Sequence, residues 1–328
     1  MVDLSTEYLG LKLKNPLIAG SSGLTATAKG VREFEEKGAA AVVLKSIFEE
    51  EIMYEYEDIL REASQEGVNL DQFDYYDFEL KSGKIKKYTD LIGECKKSVS
   101  IPVIASINCV YSHEWTSFAK QLEETGADAL ELNMFFLPSE FDRTTEEKEK
   151  AYFHIIEKVQ KEVSIPIALK ISYYFSNLGP MIQNLSNTGI AGLVLFNRFY
   201  SPDFDIEKLE VISSNVFSNP SDLTISLRWI GIMAERVNCD LAASTGVHDG
   251  TALIKQILAG ANAVQVVSAL YKHGKGHIGT MLETLEGWMK KKGFKHLSDF
   301  RGKLSQAKSS NPAVYERVQF MKYFGGAS

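Results

Sequence analysis

The chain has 328 residues, of which 45% are hydrophobic and 24% charged, a composition typical of a globular protein with a large core. Its formal net charge of −7 argues against nucleic-acid binding, because a phosphate backbone requires a basic face. The three cysteines, Cys95, Cys109 and Cys239, include no CxxC pair. This pattern argues against a disulfide scaffold, a zinc ribbon or a cysteine-ligated iron–sulfur cluster, and we expect no metal site.

Nothing in the sequence indicates export or membrane insertion. The amino-terminal segment has no cationic start followed by an apolar run. No stretch reaches the ~18 apolar residues of a membrane span. We therefore expect a protein of the reducing cytoplasm that makes no use of a membrane.

Short apolar segments recur along the chain and predict strands. Four of them begin at a glycine (Gly38, Gly126, Gly189 and Gly260), the residue that a helix favours where its chain turns left-handed before a strand. Segments of a second type alternate with these four. In chain order the predicted strand segments are 14–21, 38–45, 99–106, 126–133, 163–170, 189–197, 237–244 and 260–268.

Most intervals between these segments have the apolar period of an amphipathic helix. Residues 115–125 place Phe118 and Leu122 on one face, and residues 146–163 repeat the pattern with Ile156 and Val159. Apolar strands covered on both faces indicate a parallel sheet, and eight βα units close into a (β/α)8 TIM barrel. We expect one such α/β domain over residues 1–328. The same strand pattern is also compatible with an open doubly wound sheet.

Two intervals are longer than a barrel helix needs. Residues 48–87, after the second strand, form an insertion rich in Glu, Asp and Tyr. A solvated acidic segment and a lid over the carboxyl-terminal end of the barrel are equally compatible with it. The second long interval covers residues 198–222.

Polar residues stand where the predicted strands end, which is where barrel enzymes carry their chemistry. Lys45, Asn133, Lys170 and Asn197 close the second, fourth, fifth and sixth strands. A single lysine at a strand end is usually a surface residue. Two lysines and two amides at four ends converge on one cavity, which suits a ligand with delocalised negative charge and several hydrogen-bonding edges.

The last two units provide a second kind of ligand contact. Loops after the seventh and eighth strands of a barrel commonly bind phosphate through backbone N–H groups. A phosphate at one end and an anionic ring with many polar edges at the other describe flavin mononucleotide (FMN). The residues of these two loops are Thr245, Gly246, Val247, Ser268 and Ala269.

With these residues placed, the chain resembles the dihydroorotate dehydrogenase family of FMN-binding barrels over essentially its whole length. The strongest matches are LAGANAVQVVSALYKHG and the tail HLSDFRGKL. The other matching stretches are NPLIAGSSG, the LKS at 44–46, IPVIASI, GADALELN, IPIALKIS and STGV.

The resemblance implies a role for each matching residue. Ser22 and Gly23 would flank the flavin ring, and Lys45 and Asn133 would meet both flavin and substrate. Lys170 would stabilise the N1 edge of the flavin, and Asn197 would face the substrate. The residues implied to hold the ribityl chain and phosphate are Thr245, Gly246, Val247, Ser268 and Ala269.

The substrate half of the family motif is altered in this chain. The family has Asn-Leu-Ser-Cys-Pro-Asn after the fourth strand, or Ser for the Cys, and this Cys or Ser is the general base. Here the segment is Asn133-Met134-Phe135-Phe136-Leu137-Pro138, so that Phe136 occupies the position of the base and Pro138 that of the substrate-binding Asn. A phenyl ring neither accepts nor relays a proton. The family's second substrate loop has no counterpart in the insertion, and Leu227-Arg228-Trp229 stands near its glycine pair.

Other residues near strand ends could contribute to a substrate site. Cys109, after the third strand, is a candidate base or a buried structural cysteine. His248 could contact an anion or be a satisfied structural histidine, and His113 also lies near a strand end. Arg198 suits a carboxylate or phosphate, and its alternative is an ion pair with the acidic insertion.

We therefore expect an FMN-dependent oxidoreductase that acts on the CH–CH group of a small anionic substrate. The family resemblance implies a link to pyrimidine biosynthesis. A flavin- or ligand-binding protein without this chemistry is the alternative, because fold does not fix function. A homodimer is a further expectation.

Overall fold

The computed structural model describes residues 2–48, 73–108, 115–134, 139, 141, 144–198, 202–213 and 216–316. Phe136, which is predicted to occupy the position of the base, lies outside this part of the chain, as do Pro138, Cys109 and His113. So does most of the acidic insertion.

A closed parallel sheet forms the centre of the molecule, as the sequence predicts. Its strands are β3 (Leu17–Ala19), β4 (Ala41–Val43), β6 (Val103–Asn108), β7 (Ala129–Met134), β8 (Ile167–Ile171), β9 (Gly192–Leu195), β12 (Asp240–Ala243) and β13 (Ala263–Val266). Each pairs with the next in this order, and β13 pairs back onto β3. This closure confirms the eight-stranded barrel and excludes the open sheet. A short strand β5 (Ile47–Phe48) extends the edge of β6.

Helices cover the outside of the barrel. They are α1 (Ala28–Glu36), α2 (Phe73–Ser98), α3 (Trp115–Glu124), α4 (Thr145–Glu162), α5 (Leu178–Ser186), α6 (Leu223–Met233), α7 (Gly250–Ala259), α8 (Ser268–His273) and α9 (His277–Lys292). The predicted apolar faces of α3 and α4 are buried at Phe118, Leu122, Ile156 and Val159. Helix α4 begins with a reciprocal capping box, in which Thr144 accepts from the Glu147 N–H and the Glu147 carboxylate accepts from the Thr144 N–H.

A hairpin closes the amino-terminal end of the barrel. Strands β1 (Thr6–Tyr8) and β2 (Leu11–Leu13) pair antiparallel and bury Tyr8, Leu9 and Leu13 against the inward residues of the barrel. This contact requires a glycine in β9, because a Cβ on Gly192 would lie 2.5 Å from a methyl group of Leu9. The hairpin therefore covers the amino-terminal end of the barrel with largely apolar side chains, here called the floor of the barrel.

The two long intervals have different structures. Residues 73–87 of the predicted insertion belong to α2, so the second half of that interval is continuous with the barrel helix rather than separate from it. The interval 198–222 contains a second hairpin, formed by β10 (Pro202–Asp205) and β11 (Glu210–Ser213). Whether the insertion covers the barrel mouth concerns residues outside the described part of the chain.

Among the helices of the described residues, none combines the length and apolar character needed to cross a membrane.

Candidate functional site

The carboxyl ends of the strands bring the predicted polar residues together. Asn133 on β7 and Lys170 on β8 are direct partners in the strand register. The Asn197 amide, just beyond β9, donates to the Asn133 side-chain oxygen at 2.6 Å, and the Asn197 oxygen accepts from the Arg198 N–H at 2.8 Å. These contacts fix the orientation of both amides at the mouth of the barrel, as expected for groups that present chosen polar edges to a ligand.

A cavity of about 170 Å³ opens between these strand ends and the loops after β12 and β13. Most of the residues that line it lie in, or directly after, five barrel strands. They include the predicted lysine on β8 and residues of both predicted phosphate loops. Its lining residues are Ser21, Lys170, Asn197, Arg198, Val216, Ser218, Ser244, Thr245, Gly246, Val247, Gln265, Val267 and Ser268.

The loop after β12 has the backbone geometry of an anion site. Thr245 and Gly246 both have positive φ angles, 74° and 78°, and the Thr245 hydroxyl donates to the Phe196 carbonyl at 3.0 Å. Within the described residues, the N–H groups of Gly246, Val247 and Ser268 have no backbone acceptor. All three residues line the cavity, and several N–H groups without a backbone acceptor at one cavity suit a phosphate, so the loops after β12 and β13 fit the phosphate end of FMN.

Gly246 is expected to tolerate no side chain. A Cβ there would lie 2.0 Å from the backbone nitrogen of Leu223, at the start of α6, and the positive φ disfavours any L-residue. We expect Gly246→Ala to lower the FMN affinity of the protein by at least tenfold and to lower its melting temperature. Titration of the apoprotein with FMN, followed by flavin fluorescence, measures the first effect.

Gly274→Ala is the matched control, because Gly274 also has a positive φ of 80°, but no atom of the described residues lies within 4 Å of the added methyl group. It should lower the melting temperature slightly and leave FMN affinity unchanged. Equal loss of affinity in both variants would contradict the assignment of Gly246 to the anion site.

A row of hydroxyl groups joins the ends of three neighbouring strands. The Ser46 hydroxyl lies 3.1 Å from that of Ser21 and 2.7 Å from that of Ser106, and the Ser46 N–H donates to Ser21 Oγ at 2.9 Å. The Tyr88 hydroxyl of α2 accepts from the Ser106 N–H at 2.9 Å. This row fixes the backbone beside Lys45, whose side chain is half-buried next to it.

Lys170 belongs to a buried polar cluster that the motifs did not predict. Its ammonium donates to Gln265 Oε1 at 2.8 Å and lies 3.7 Å from Glu131 Oε1. The Gln265 amide donates to Glu131 Oε2. A charged or amide residue inside an otherwise apolar strand is the sequence signal that could have identified Glu131 and Gln265, since burying such a group without a partner is costly.

Arg198 forms an ion pair with Asp222, and the acidic segment with which it was also expected to pair lies, at residues 49–72, outside the described residues. Its Nε lies 3.4 Å from Asp222 Oδ2, just before α6, and its NH1 donates to the Val216 carbonyl at 3.0 Å. The Asp222 carboxylate also accepts from the Asn219 N–H at 2.9 Å. The guanidinium therefore lines the cavity while Asp222 offsets part of its charge.

A second cavity, of about 140 Å³, adjoins the first and shares Asn197, Arg198, Ser244 and Thr245 with it. Aromatic rings provide much of its wall, and Tyr173 and Tyr174 stack with their centroids 4.7 Å apart. The remaining lining residues are Phe196, Asp222, Ile225 and Ser226. Together the two cavities form a site with a polar, amide-lined end and an aromatic end, and Arg198 lies between them.

His248 has the environment of a structural histidine. Its Nε2 shares a hydrogen bond of 3.0 Å with the Ser218 hydroxyl, and its carbonyl accepts from His277 Nε2 at 2.7 Å. Burial, followed by the charge of Lys272, lowers the pKa of the His248 imidazole. His248 lines neither of the two cavities, so the reading as an anion contact is not supported.

The remaining predicted residues lie next to the cavity rather than in its wall. Ser22 and Gly23 directly follow Ser21, and Ala269 is fully buried behind Ser268. Cys109 and Phe136 lie outside the described residues, so their predicted positions at the substrate end stay predictions. The matching stretches contain Glu131, Ser244 and Gln265 but assigned them no role, and the wall residue Ser218 lies outside every stretch.

Comparison with known proteins identifies the family of this site. The family model for dihydroorotate dehydrogenase matches residues 3–289. A dihydroorotate dehydrogenase B (NAD(+)) catalytic subunit of Thermoplasma volcanium is 27% identical over 319 residues, which cover 92% of this chain and 98% of that relative. A putative dihydroorotate dehydrogenase A (fumarate) of Aeropyrum pernix is 26% identical over 306 residues, with 92% and 97% covered.

The family match agrees with the closed barrel and with the polar residues at its carboxyl-terminal end. Family members are FMN-dependent oxidoreductases of pyrimidine biosynthesis, and the free amides after β12, the buried lysine on β8 and the paired asparagines suit FMN. The chain therefore belongs to the dihydroorotate dehydrogenase family.

Proposed function

We propose that this protein transfers a hydride between FMN and the CH–CH group of a small anionic substrate. The observation that carries the proposal is the cavity that joins Lys170 and Asn197 to the free amides of the loop after β12. Such a site can hold a phosphate at one end and a polar ring at the other. When bound, FMN supplies the hydride-accepting atom N5.

The side chains of this site have separate tasks. The backbone N–H groups of Gly246, Val247 and Ser268 would hold the phosphate. The Lys170 ammonium would face the N1 edge of the flavin, where a cation stabilises negative charge. Asn133 and Asn197 hold each other and present their remaining polar edges to the ring and the substrate. Lys45 and Ser22–Gly23 complete the ring contacts.

Arg198 accounts for the preference for an anion. Its guanidinium lies where the two cavities meet, and a carboxylate of the substrate would accept from its N–H groups at that position. The aromatic end, with Tyr173, Tyr174 and Phe196, would pack against the apolar part of the substrate.

We propose that this protein acts on a substrate other than dihydroorotate. Those relatives are named for dihydroorotate, with NAD(+) or fumarate as the second reactant. Phe136 removes the general base and Pro138 removes an amide, so dihydroorotate itself is disfavoured. Phe136 also favours the second candidate, a flavin- or ligand-binding protein without turnover. A cytoplasmic location and a homodimer stay predictions from the sequence.

We expect the purified protein to be yellow and to contain non-covalent FMN. Absorbance spectra before and after denaturation, with chromatography of the released flavin, measure its identity and stoichiometry. Oxidised holoprotein that is reduced by dithionite and reoxidised by an added acceptor would distinguish a redox protein from a passive binder. Protein that is colourless and takes up no FMN on reconstitution would contradict the proposal.

We expect Arg198→Met to weaken the binding of an anionic ligand to the holoprotein by about tenfold or more, since a hydrogen bond to a charged group contributes ~1.5–3 kcal/mol. Orotate, detected by the change in the flavin spectrum, is the probe. Asp222→Asn should strengthen orotate binding, because Arg198 loses its competing carboxylate. Lys208→Met, on the exposed tip of the β10–β11 hairpin, is the charge-matched control. Unchanged orotate affinity in both site variants would exclude Arg198 as the anion contact.

A further inference from the structure

The group of Glu131, Lys170 and Gln265, here called the interior triad, links three barrel strands. Glu131 lies on β7, Lys170 on β8 and Gln265 on β13. All three side chains are buried, with exposed fractions of 1%, 7% and 2%. Lys170 and Gln265 line the larger cavity, whereas Glu131 does not, so the carboxylate lies behind the two groups that face the ligand.

Gln265 bridges the two charges. Its oxygen accepts from the Lys170 ammonium at 2.8 Å, and its amide donates to one carboxylate oxygen of Glu131. The ammonium and the other carboxylate oxygen, Oε1, are 3.7 Å apart, which is longer than a charge-assisted hydrogen bond. Glu131 Oε1 is buried and has no hydrogen-bond partner among the described residues. The bridge therefore keeps the carboxylate and the ammonium from closing on each other.

The negative charge of Glu131 acts on its buried surroundings. Burial, and after it the charge of Glu131, raises the pKa of the Tyr8 hydroxyl in the floor of the barrel. A carboxylate whose charge acts on the Tyr8 hydroxyl also acts on the Lys170 ammonium, which is 3.7 Å away. At that distance in a poorly solvated interior, it offsets part of the positive charge that Lys170 presents to the cavity.

We propose that Glu131, acting through Gln265, is a positioning residue that sets both the place and the effective charge of Lys170 at the flavin. Gln265 holds the ammonium toward the cavity, and Glu131 reduces the field that the ammonium exerts there. The reduction potential of bound FMN therefore depends on a carboxylate that touches neither cofactor nor substrate. This inference rests on the proposed function, because it requires FMN in the larger cavity.

Two substitutions in the interior triad should change the potential in opposite directions. Glu131→Gln removes the negative charge and leaves the Lys170 charge uncompensated, so reduced flavin is stabilised and the potential rises. Gln265→Met removes the bridge, and the ammonium can close on Glu131 and withdraw from the cavity. Reduced flavin then loses a cation, and the potential falls. A residue that only supported the fold would produce no such pair of opposite shifts.

The experiment measures the midpoint potential of FMN in the holoprotein by equilibrium reduction against a reference dye. The proteins are the wild type, Glu131→Gln, Gln265→Met and Asp240→Asn. Asp240→Asn is the control, because it makes the same acid-to-amide change at the amino-terminal end of the barrel, where Asp240 accepts from the Leu9 N–H at 2.8 Å. It should lower the melting temperature and leave the potential unchanged.

The outcomes separate this inference from the function on which it rests. Wild-type protein that binds no FMN would contradict the proposed function. Wild-type protein that binds FMN, with potentials unchanged in both triad variants or shifted in the same direction, would overturn the role of Glu131. If Glu131→Gln does not fold, Gln265→Met still tests the inference. A midpoint potential of this variant at or above that of the wild type would overturn it.

Discussion

Dihydroorotate turnover by the unmodified protein is expected to be slower by about 10²–10⁴-fold than that of a family member with Cys or Ser at the base position, since general-base catalysis supplies a factor of this size. The cause is Phe136, which cannot take the proton that must leave the substrate carbon. The loss of the Asn at position 138 should weaken substrate binding as well. Steady-state assays with dihydroorotate and several electron acceptors measure both effects.

Single and double variants test whether these two positions are responsible. Phe136→Cys alone should restore little activity, because the base returns to a pocket that lacks its amide. Phe136→Cys combined with Pro138→Asn should restore more than either change singly, since the groups act on one substrate and their effects are not additive. Phe136→Ala is the control that removes the ring without adding a base.

Rapid dihydroorotate oxidation by the unmodified protein would contradict this prediction. A base would then have to lie elsewhere, and Cys109, after β6, would be the first residue to substitute. A Phe136→Ala variant as active as Phe136→Cys would show that removal of the ring, rather than the added thiol, matters.

Lys170→Ala is expected to have the largest combined effect on cofactor and stability. Loss of the ammonium should lower the reduction potential of bound FMN, because negative charge on reduced flavin is no longer stabilised. It also leaves Glu131 buried without its cation, and breaking a buried pair typically costs about 3–5 kcal/mol of unfolding free energy. Potentiometry and denaturant unfolding measure the two effects separately.

The variant Lys170→Met with Glu131→Gln is the matched comparison. It removes both charges, so most of the stability should return, while the potential should stay below that of the wild type. A Lys170→Ala variant with an unchanged potential and a large loss of stability would mean that the lysine serves only the fold.

The barrel, and the convergence of polar residues at the carboxyl ends of its strands, could be predicted from the sequence. The eight segments repeat an apolar period and a glycine stop, and such local patterns report burial and backbone conformation directly. Parallel strands of a closed barrel point their carboxyl ends the same way. Lys170, Asn133 and Asn197 therefore had to converge once the strands were placed, and the structure joins the two asparagines at 2.6 Å.

The partners of these residues depended on tertiary structure. Gln265 and Glu131 are 134 positions apart, and nothing in either strand's pattern indicates the other residue. The sequence indicated the acidic insertion as a partner of Arg198 but not Asp222, whose carboxylate lies 3.4 Å away because α6 begins beside the end of β9. An arginine forms an ion pair with a carboxylate that the fold brings within about 4 Å of it. The apolar period of a sequence gives no information about such distances between elements.

The sequence by itself therefore determined which segments are buried and where the strands end, and it predicts that Phe136 replaces the general base. Only the closed barrel decided what each buried polar group touches. Burial of a charge is costly without a partner, so the fold had to provide one for Lys170. It did so across the barrel interior, where three strands distant in the chain bring an ammonium, an amide and a carboxylate together.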